Sequence, residues 1–206
     1  PLLSDTLASM ADAGHRQALA WSTSPYSSYS SCRQYGEDLE AARQVSGVTT
    51  LRVKWIRRHH DHPGLIEPAA DRLAEALNRL PIDRRQDAVL TFSAHSIPTT
   101  MATECRYEAE VAEVARLVAN RVDPANNHRR EVVWQSRSGP PSVPWLEPDV
   151  TDRIRALAAE GVDAVVVSPI GFPVENFEIA WDLDVEAAQA AEESGMAFVR
   201  ARTVDD

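Results

Sequence analysis

Short runs of continuous apolar character recur along the chain: ALAW (18–21), LRVKWI (51–56), AVLTFS (88–93), EVVWQS (131–136), AVVVSPI (164–170) and AFVRA (197–201). Runs of this length, bounded by turn residues, suit strands of a parallel sheet buried on both faces. Between them, apolar positions return at helical spacing over 31–44, 63–80, 106–121, 149–160 and 177–193. That periodicity predicts helices with one buried stripe each. Strand and helix therefore alternate, which predicts an α/β fold of right-handed crossover units with mainly parallel sheets. In such folds ligands sit beyond the carboxyl ends of the strands, so the polar residues at strand exits are the ones to examine.

The helical stretch after HHDHPG (59–64) ends in the polar run NRLPIDRRQD (78–87), with two strands before it and four after it. Four strands make a plausible sheet and two alone do not. The expected organisation is a remnant of a first half over 1–62, a connecting helix and linker over 63–87, and a second half over 88–206. The sequence starts at Pro1 without Met and stops at VDD directly after an apparent strand, so it reads as part of a longer chain.

Composition narrows the function. The 206 residues carry 31 acidic and 21 basic side chains, a formal charge of −10, which offers no broad positive field for a phosphate backbone. Hydrophobic residues at 44% and charged ones at 25% are ordinary globular usage and argue against disorder or a disulfide scaffold. No run approaches about 18 consecutive apolar residues and no basic signal region opens the chain, so a cytoplasmic protein is expected. Cys32 and Cys105 lack a CxxC arrangement and read as thiols.

Three strand exits carry candidate chemistry. AVLTFSAHSIP ends a strand with His95 between Ser93 and Ser96, and Pro98 discourages immediate helix. An imidazole there can accept a proton near neutrality or bind a divalent metal, and equally it can be a loop histidine held by hydrogen bonds. No GxSxG elbow accompanies either serine. After AVVVSPIGFP, the acids Glu178, Asp182 and Glu186 fall at i, i+4 spacing on one helical face. Like charges so placed repel by about 0.2–0.5 kcal/mol per pair, so they want solvent, basic partners or cations. The face is either simply solvated or a line of oxygen ligands for a partly hydrated cation. EVVWQSRSGPPSVPWLEPDV, with Trp134, Trp145 and Arg137, forms a long loop of fixed shape, either structural or the wall of a flat apolar pocket.

Elsewhere the signals are weaker. Tyr26 and Tyr29 follow the first strand, and Ser31 stands where a helix N-cap is expected. The cluster His59, His60, Asp61, His62 has no second ligand set at zinc spacing, and Pro63 suits a first helical turn.

Taken together and in this order, SAHSIP, WQSRSGPPSVPWLEP and SPIGFPVENFEIAWDLD closely resemble ferrochelatases, and among them the actinobacterial coproporphyrin ferrochelatases. The similarity covers nearly all of the chain, which looks like the central and C-terminal portion of that family. The resemblance implies a class II chelatase-like α/β fold of two Rossmann-like halves with parallel sheets, the first half incomplete here, enclosing a porphyrin cleft. It implies insertion of ferrous iron, as substrate, into a porphyrin in heme biosynthesis, a lyase activity with coproporphyrin III the expected substrate. His95 matches the family's active-site histidine and Glu178 the facing acid, while Asp182 and Glu186 match an acidic metal route. Trp145, Phe172, Tyr26 and Tyr29 are the expected substrate contacts, and Gln135, Ser136 and Arg137 match the WQS-basic segment. Asn176 replaces a histidine that many relatives carry two residues before the acid. Cys105 matches one ligand of a [2Fe–2S] cluster found in some relatives, so a cluster is expected only in a longer protein.

Iron insertion needs two pyrrole protons to leave while the metal exchanges water for ring nitrogens, and the resemblance places His95 and Glu178 on separate halves of one pocket to serve it. The alternatives are a noncatalytic metal- or tetrapyrrole-binding protein, an inactive remnant, or a chelatase for cobalt or nickel. Nucleic acid is not an expected partner.

Overall fold

A computed structural model describes residues 2–204, apart from the side chains of residues 30–32. Six strands are present among the described residues, all within one or two residues of the apolar runs: β1 (Gln17–Ala20), β2 (Arg52–Trp55), β3 (Val89–His95), β4 (Arg130–Gln135), β5 (Ala164–Ser168) and β6 (Ala197–Arg200). The helices are α1 (Leu3–Asp12), α2 (Tyr35–Ser46), α3 (Pro63–Arg79), α4 (Ile82–Arg85), α5 (Thr99–Ala102), α6 (Tyr107–Val122), α7 (Val150–Ala159), α8 (Phe177–Ile179) and α9 (Ala188–Glu193). Two π-helical stretches, Tyr29–Gln34 and Ala180–Ala187, run directly into α2 and α9. None of these helices is long and apolar enough to cross a membrane.

The chain divides at residue 59 into two compact units, residues 105–107 counting with the first. In the first unit β1 and β2 pair in parallel. Its core is Leu7 of α1, Ala42 of α2 and Leu51, with Met10, Leu39 and Val53 packed around them. Helix α1 was not among the expected elements; Leu7 alone is fully buried on it, so its apolar stripe is short. Gly47 ends α2 with φ 66° and returns its N–H to the Arg43 carbonyl, the left-handed cap that glycine permits. The expected N-cap at Ser31 and the thiol of Cys32 lie outside the described residues.

The second unit holds a four-stranded parallel sheet of order β4-β3-β5-β6. Central β3 and β5 are buried along almost their whole length, which is why their sequences read as unbroken apolar runs. On one face, Val89, Val133, Val165 and Val167 pack against Ile154 and Leu157 of α7 and against Ile179, Leu183 and Ala187. Those last three residues repeat every fourth position through the π-helical turn. Truncating Leu183 to alanine is expected to cost about 3 kcal/mol.

The segment expected to connect the halves counts with the second unit. Helix α3 buries Leu65, Ile66, Ala69, Ala70, Leu73 and Ala76 beside β5 and β6, an apolar stripe too wide for an exposed linker. His62 caps its start by accepting a hydrogen bond from the Gly64 N–H at 3.0 Å.

From β3 the chain moves to β4 on one side and then crosses to β5 on the other. The order therefore reverses between β3 and β5, the point in an open α/β sheet beyond whose carboxyl ends a ligand site is expected.

Candidate active site

His95 is the last residue of β3 and stands at that reversal point. Its Nδ1 lies 2.5 Å from the Ser96 carbonyl oxygen. A carbonyl only accepts, so Nδ1 is the donor in this contact, and whenever the ring is neutral its lone pair lies on Nε2. Nε2 points to Glu178, 3.8 Å from its Oε1, with the two side chains 34% and 49% exposed. That separation exceeds a hydrogen bond. Two donor atoms each about 2.1 Å from one divalent ion can stand up to about 4.2 Å apart, so a single ion can reach both. Both residues come from the second unit, one from the β3 exit and one after β5, so the pair forms within one half.

The loop between β5 and α8 sets the approach. The Gly171 N–H donates to the Ser93 carbonyl at 3.0 Å. A Cβ on Gly171 would lie 2.5 Å from the Ala94 Cα, so only glycine lets this loop press against β3 one residue before His95. Phe172 follows, its ring 6.4 Å from the imidazole. Asn176 then starts α8 by accepting the Ile179 N–H on its Oδ1 at 3.0 Å. Where many relatives are expected to carry histidine, this chain has a helix cap.

Beyond Glu178 the acids do not behave alike. Asp182 accepts the Ser136 hydroxyl proton and, at 3.4 Å, the Gln135 amide. Ser136 adopts φ 61°, a left-handed conformation unusual for serine, at the exit of β4. Gln135 is 1% exposed and its Oε1 has no hydrogen-bond partner. Glu186 is exposed further along the same helix. Among the described residues no three His, Cys, Asp or Glu side chains form a ready metal cage, so the acids are separated rather than gathered. Phe177 and Trp181 stack with centroids 6.3 Å apart on the outer surface of this helix.

The WQS loop is laced to the β3 exit. Thr99 and Leu146 N–H groups donate to the Pro144 and Ile97 carbonyls, each at 3.0 Å, and the Ser96 hydroxyl donates to Leu146 at 2.9 Å. Trp145 is thereby fixed opposite Pro98, its indole Nε1 buried without a hydrogen-bond partner. Arg137 donates to the Pro141 and Val143 carbonyls, stiffening the loop from within.

In the first unit Tyr29 is 41% exposed, with the Arg33 guanidinium 5.7 Å over its ring. Tyr26 requires a correction: at 1% exposure it is a core residue, packed edge-on to Tyr107, rather than a ring offered to a ligand. His60 lies 3.8 Å from Glu110 and 3.5 Å from Glu113. His59 packs its ring 5.6 Å from Trp21.

Sequence reasoning missed Gly171 and Arg200. Arg200, at the end of β6, joins Glu175 at 2.5 Å and Asp184 at 2.7 Å. A glycine inside an apolar strand exit was an available signal for the first. The second has none, because its partners lie far away in sequence.

A parallel sheet with a histidine and a carboxylate meeting at its reversal point defines an α/β protein of the class II chelatase type. The fold is shared with SirB from Bacillus subtilis with Fe3+, at a TM-score of 0.64 and 7% identity over 99% of this chain and 71% of that one. A ferrochelatase family model matches residues 1–206, and the chain belongs to the ferrochelatase family. It is 47% identical to coproporphyrin III ferrochelatase from Nocardia farcinica over 98% of its length. The enzyme of the same name from Mycolicibacterium vanbaalenii is also 47% identical over 98% of the chain, and that from Mycolicibacterium smegmatis is 45% identical over the same share. The chain spans 59–60% of the length of these relatives.

Proposed function

We propose that the protein to which this chain belongs inserts ferrous iron into coproporphyrin III in the cytoplasm, as a lyase of heme biosynthesis. The overall change is balanced: Fe2+ enters the macrocycle and two pyrrole protons leave. The supporting observation is the His95–Glu178 pair, held 3.8 Å apart with the imidazole lone pair on the carboxylate side. Nε2 is oriented to bind the entering ion or accept a pyrrole proton, and Glu178 supplies a hard anionic ligand or the second acceptor. Glu186 and Asp182 extend negative charge away from the pair, and Trp145, Phe172 and Tyr29 are the aromatic groups proposed to meet the macrocycle.

Cys105 is half-buried between α5 and α6. A [2Fe–2S] cluster takes four ligands, and the two cysteines of this chain cannot complete one.

The test is anaerobic iron insertion by the intact parent protein beside His95→Ala and Glu178→Gln. Each substitution is expected to lower kcat by about 100-fold or more while porphyrin binding persists. Equal turnover in all three proteins would remove the assignment. Porphyrin binding without turnover in the parent would instead identify a carrier, and faster insertion of Co2+ or Ni2+ would identify a different chelatase.

A further inference from the structure

Arg200 closes β6 and reaches back over the acidic helix from outside. Its Nη1 donates to Glu175 Oε1 at 2.5 Å, while Nε and Nη2 donate side by side to Asp184 Oδ1 and Oδ2 at 2.7 and 3.0 Å. Glu175 precedes Glu178 by three residues and Asp184 follows it by six, so one guanidinium grips the chain on both sides of the proposed catalytic carboxylate. The grip is sheltered, since the Arg200 side chain is only 16% exposed. Glu175 Oε1 also accepts the Thr203 N–H and hydroxyl, both at 3.3 Å, which ties the loop to the segment after β6. Burial works against the charge on Arg200, yet its hydrogen bonds to Asp184 and Glu175 prevail and raise its pKa.

The location matters because the gripped stretch is π-helical from Ala180. A π turn closes i→i+5 hydrogen bonds and is rare unless tertiary contacts enforce it. Asp182 is pinned from the inner side by Ser136 and Gln135, and Asp184 from the outer side by Arg200. Glu178 lies in α8, two residues before this doubly pinned stretch, with its carboxylate facing His95. A bidentate guanidinium–carboxylate pair fixes direction as well as distance, which a lysine point charge does not.

We propose that Arg200 is a positioning residue which, by holding Glu175 and Asp184 together, presets the Glu178 carboxylate opposite His95 for the incoming ion. The inference rests on the iron-insertion reading and adds a residue distant from the reacting atoms.

The experiment uses the full-length parent protein with Arg200→Met and Arg200→Lys, measuring steady-state kinetics with iron varied, porphyrin binding by fluorescence quenching, and amide hydrogen exchange over 177–184. A displacement near 1 Å can cost orders of magnitude, so Arg200→Met is expected to lower kcat/KM for iron about tenfold or more. Porphyrin affinity should stay within about twofold, because the macrocycle is not the group being positioned. Exchange over 177–184 should quicken about tenfold, with Arg200→Lys recovering part of both losses. A merely structural role would lower the melting temperature and leave the iron kinetics in place.

Should Arg200→Met fail to fold, Glu175→Gln and Asp184→Asn each remove one arm, and wild-type iron kinetics in both would overturn the proposal. So would unchanged iron kinetics in a folded Arg200→Met protein. A parent protein that inserts no iron would remove the functional reading alone. Unchanged exchange in Arg200→Met would then reject the clamp, and quickened exchange would uphold it.

Discussion

The two ends of the second sheet treat charge in opposite ways. At the amino end of β4, Arg129, Glu131, Arg153 and Glu160 form a closed network with contacts of 2.5–2.8 Å. Hydrogen bonds from Arg153 and Arg129 hold the Glu160 carboxyl down to about 2. Nearby Asp123, only 4% exposed, accepts the His128 N–H at 2.8 Å and pairs with Arg130. Despite its burial these bonds hold its pKa well below the usual aspartate range. At the carboxyl end, Glu178 faces an imidazole at 3.8 Å and Asp182 meets two neutral donors. Matched charges stabilise a fold without inviting a ligand, whereas a carboxylate left facing an imidazole, with no cationic side chain in its pair, is the arrangement expected of an end proposed to receive a cation.

The contrast can be broken most forcefully at its carboxyl end, where His95→Ala and Glu178→Gln are expected to give the 100-fold losses described above. Next comes Gly171→Val. Its Cβ would meet the Ala94 backbone at 2.5 Å, so it is expected to cost about 3 kcal/mol in urea unfolding and to lower turnover by moving the β3 exit. A variant as stable as wild type would show that the loop gives way freely.

Asp123→Ala should cost about 2 kcal/mol, since it strands the buried donors of His128 and Arg130. Because the folded pKa of Asp123 is depressed, its contribution is fully present above about pH 4 and disappears as pH falls through the folded value. Wild type should therefore lose more stability on acidification below pH 4 than Asp123→Ala does, and parallel acid profiles would contradict the assignment. Smallest is Arg153→Met, about 1 kcal/mol and less in high salt, with iron kinetics unchanged. A large kinetic defect there would mean that the two ends are coupled.

The fold was readable because its signals are local. The runs AVLTFS and AVVVS announce buried strands by composition alone, and they became the central β3 and β5. His95, Glu178, Asp182 and Glu186 could be singled out because strand exits and i, i+4 spacing are visible along the chain. The π-helical turn was not legible, since Ile179 just before it and Leu183 and Ala187 within it keep a four-residue repeat that an α-helix also allows. Nor was the burial of Tyr26, which looks in sequence like any tyrosine in a serine-rich loop.

By itself the amino-acid order determined the alternation of strand and helix, the parallel class of the sheet and the residue types at each strand exit. These depend on side-chain periodicity and turn chemistry within a few residues. Only the tertiary structure decided that Nε2 of His95 turns to Glu178, that Gly171 must lie against Ala94, and that Arg200 grips Glu175 and Asp184 from 25 and 16 residues away. Such contacts exist only once the chain has closed on itself, because packing and hydrogen-bond geometry, not spacing, select among the partners a charged side chain can reach.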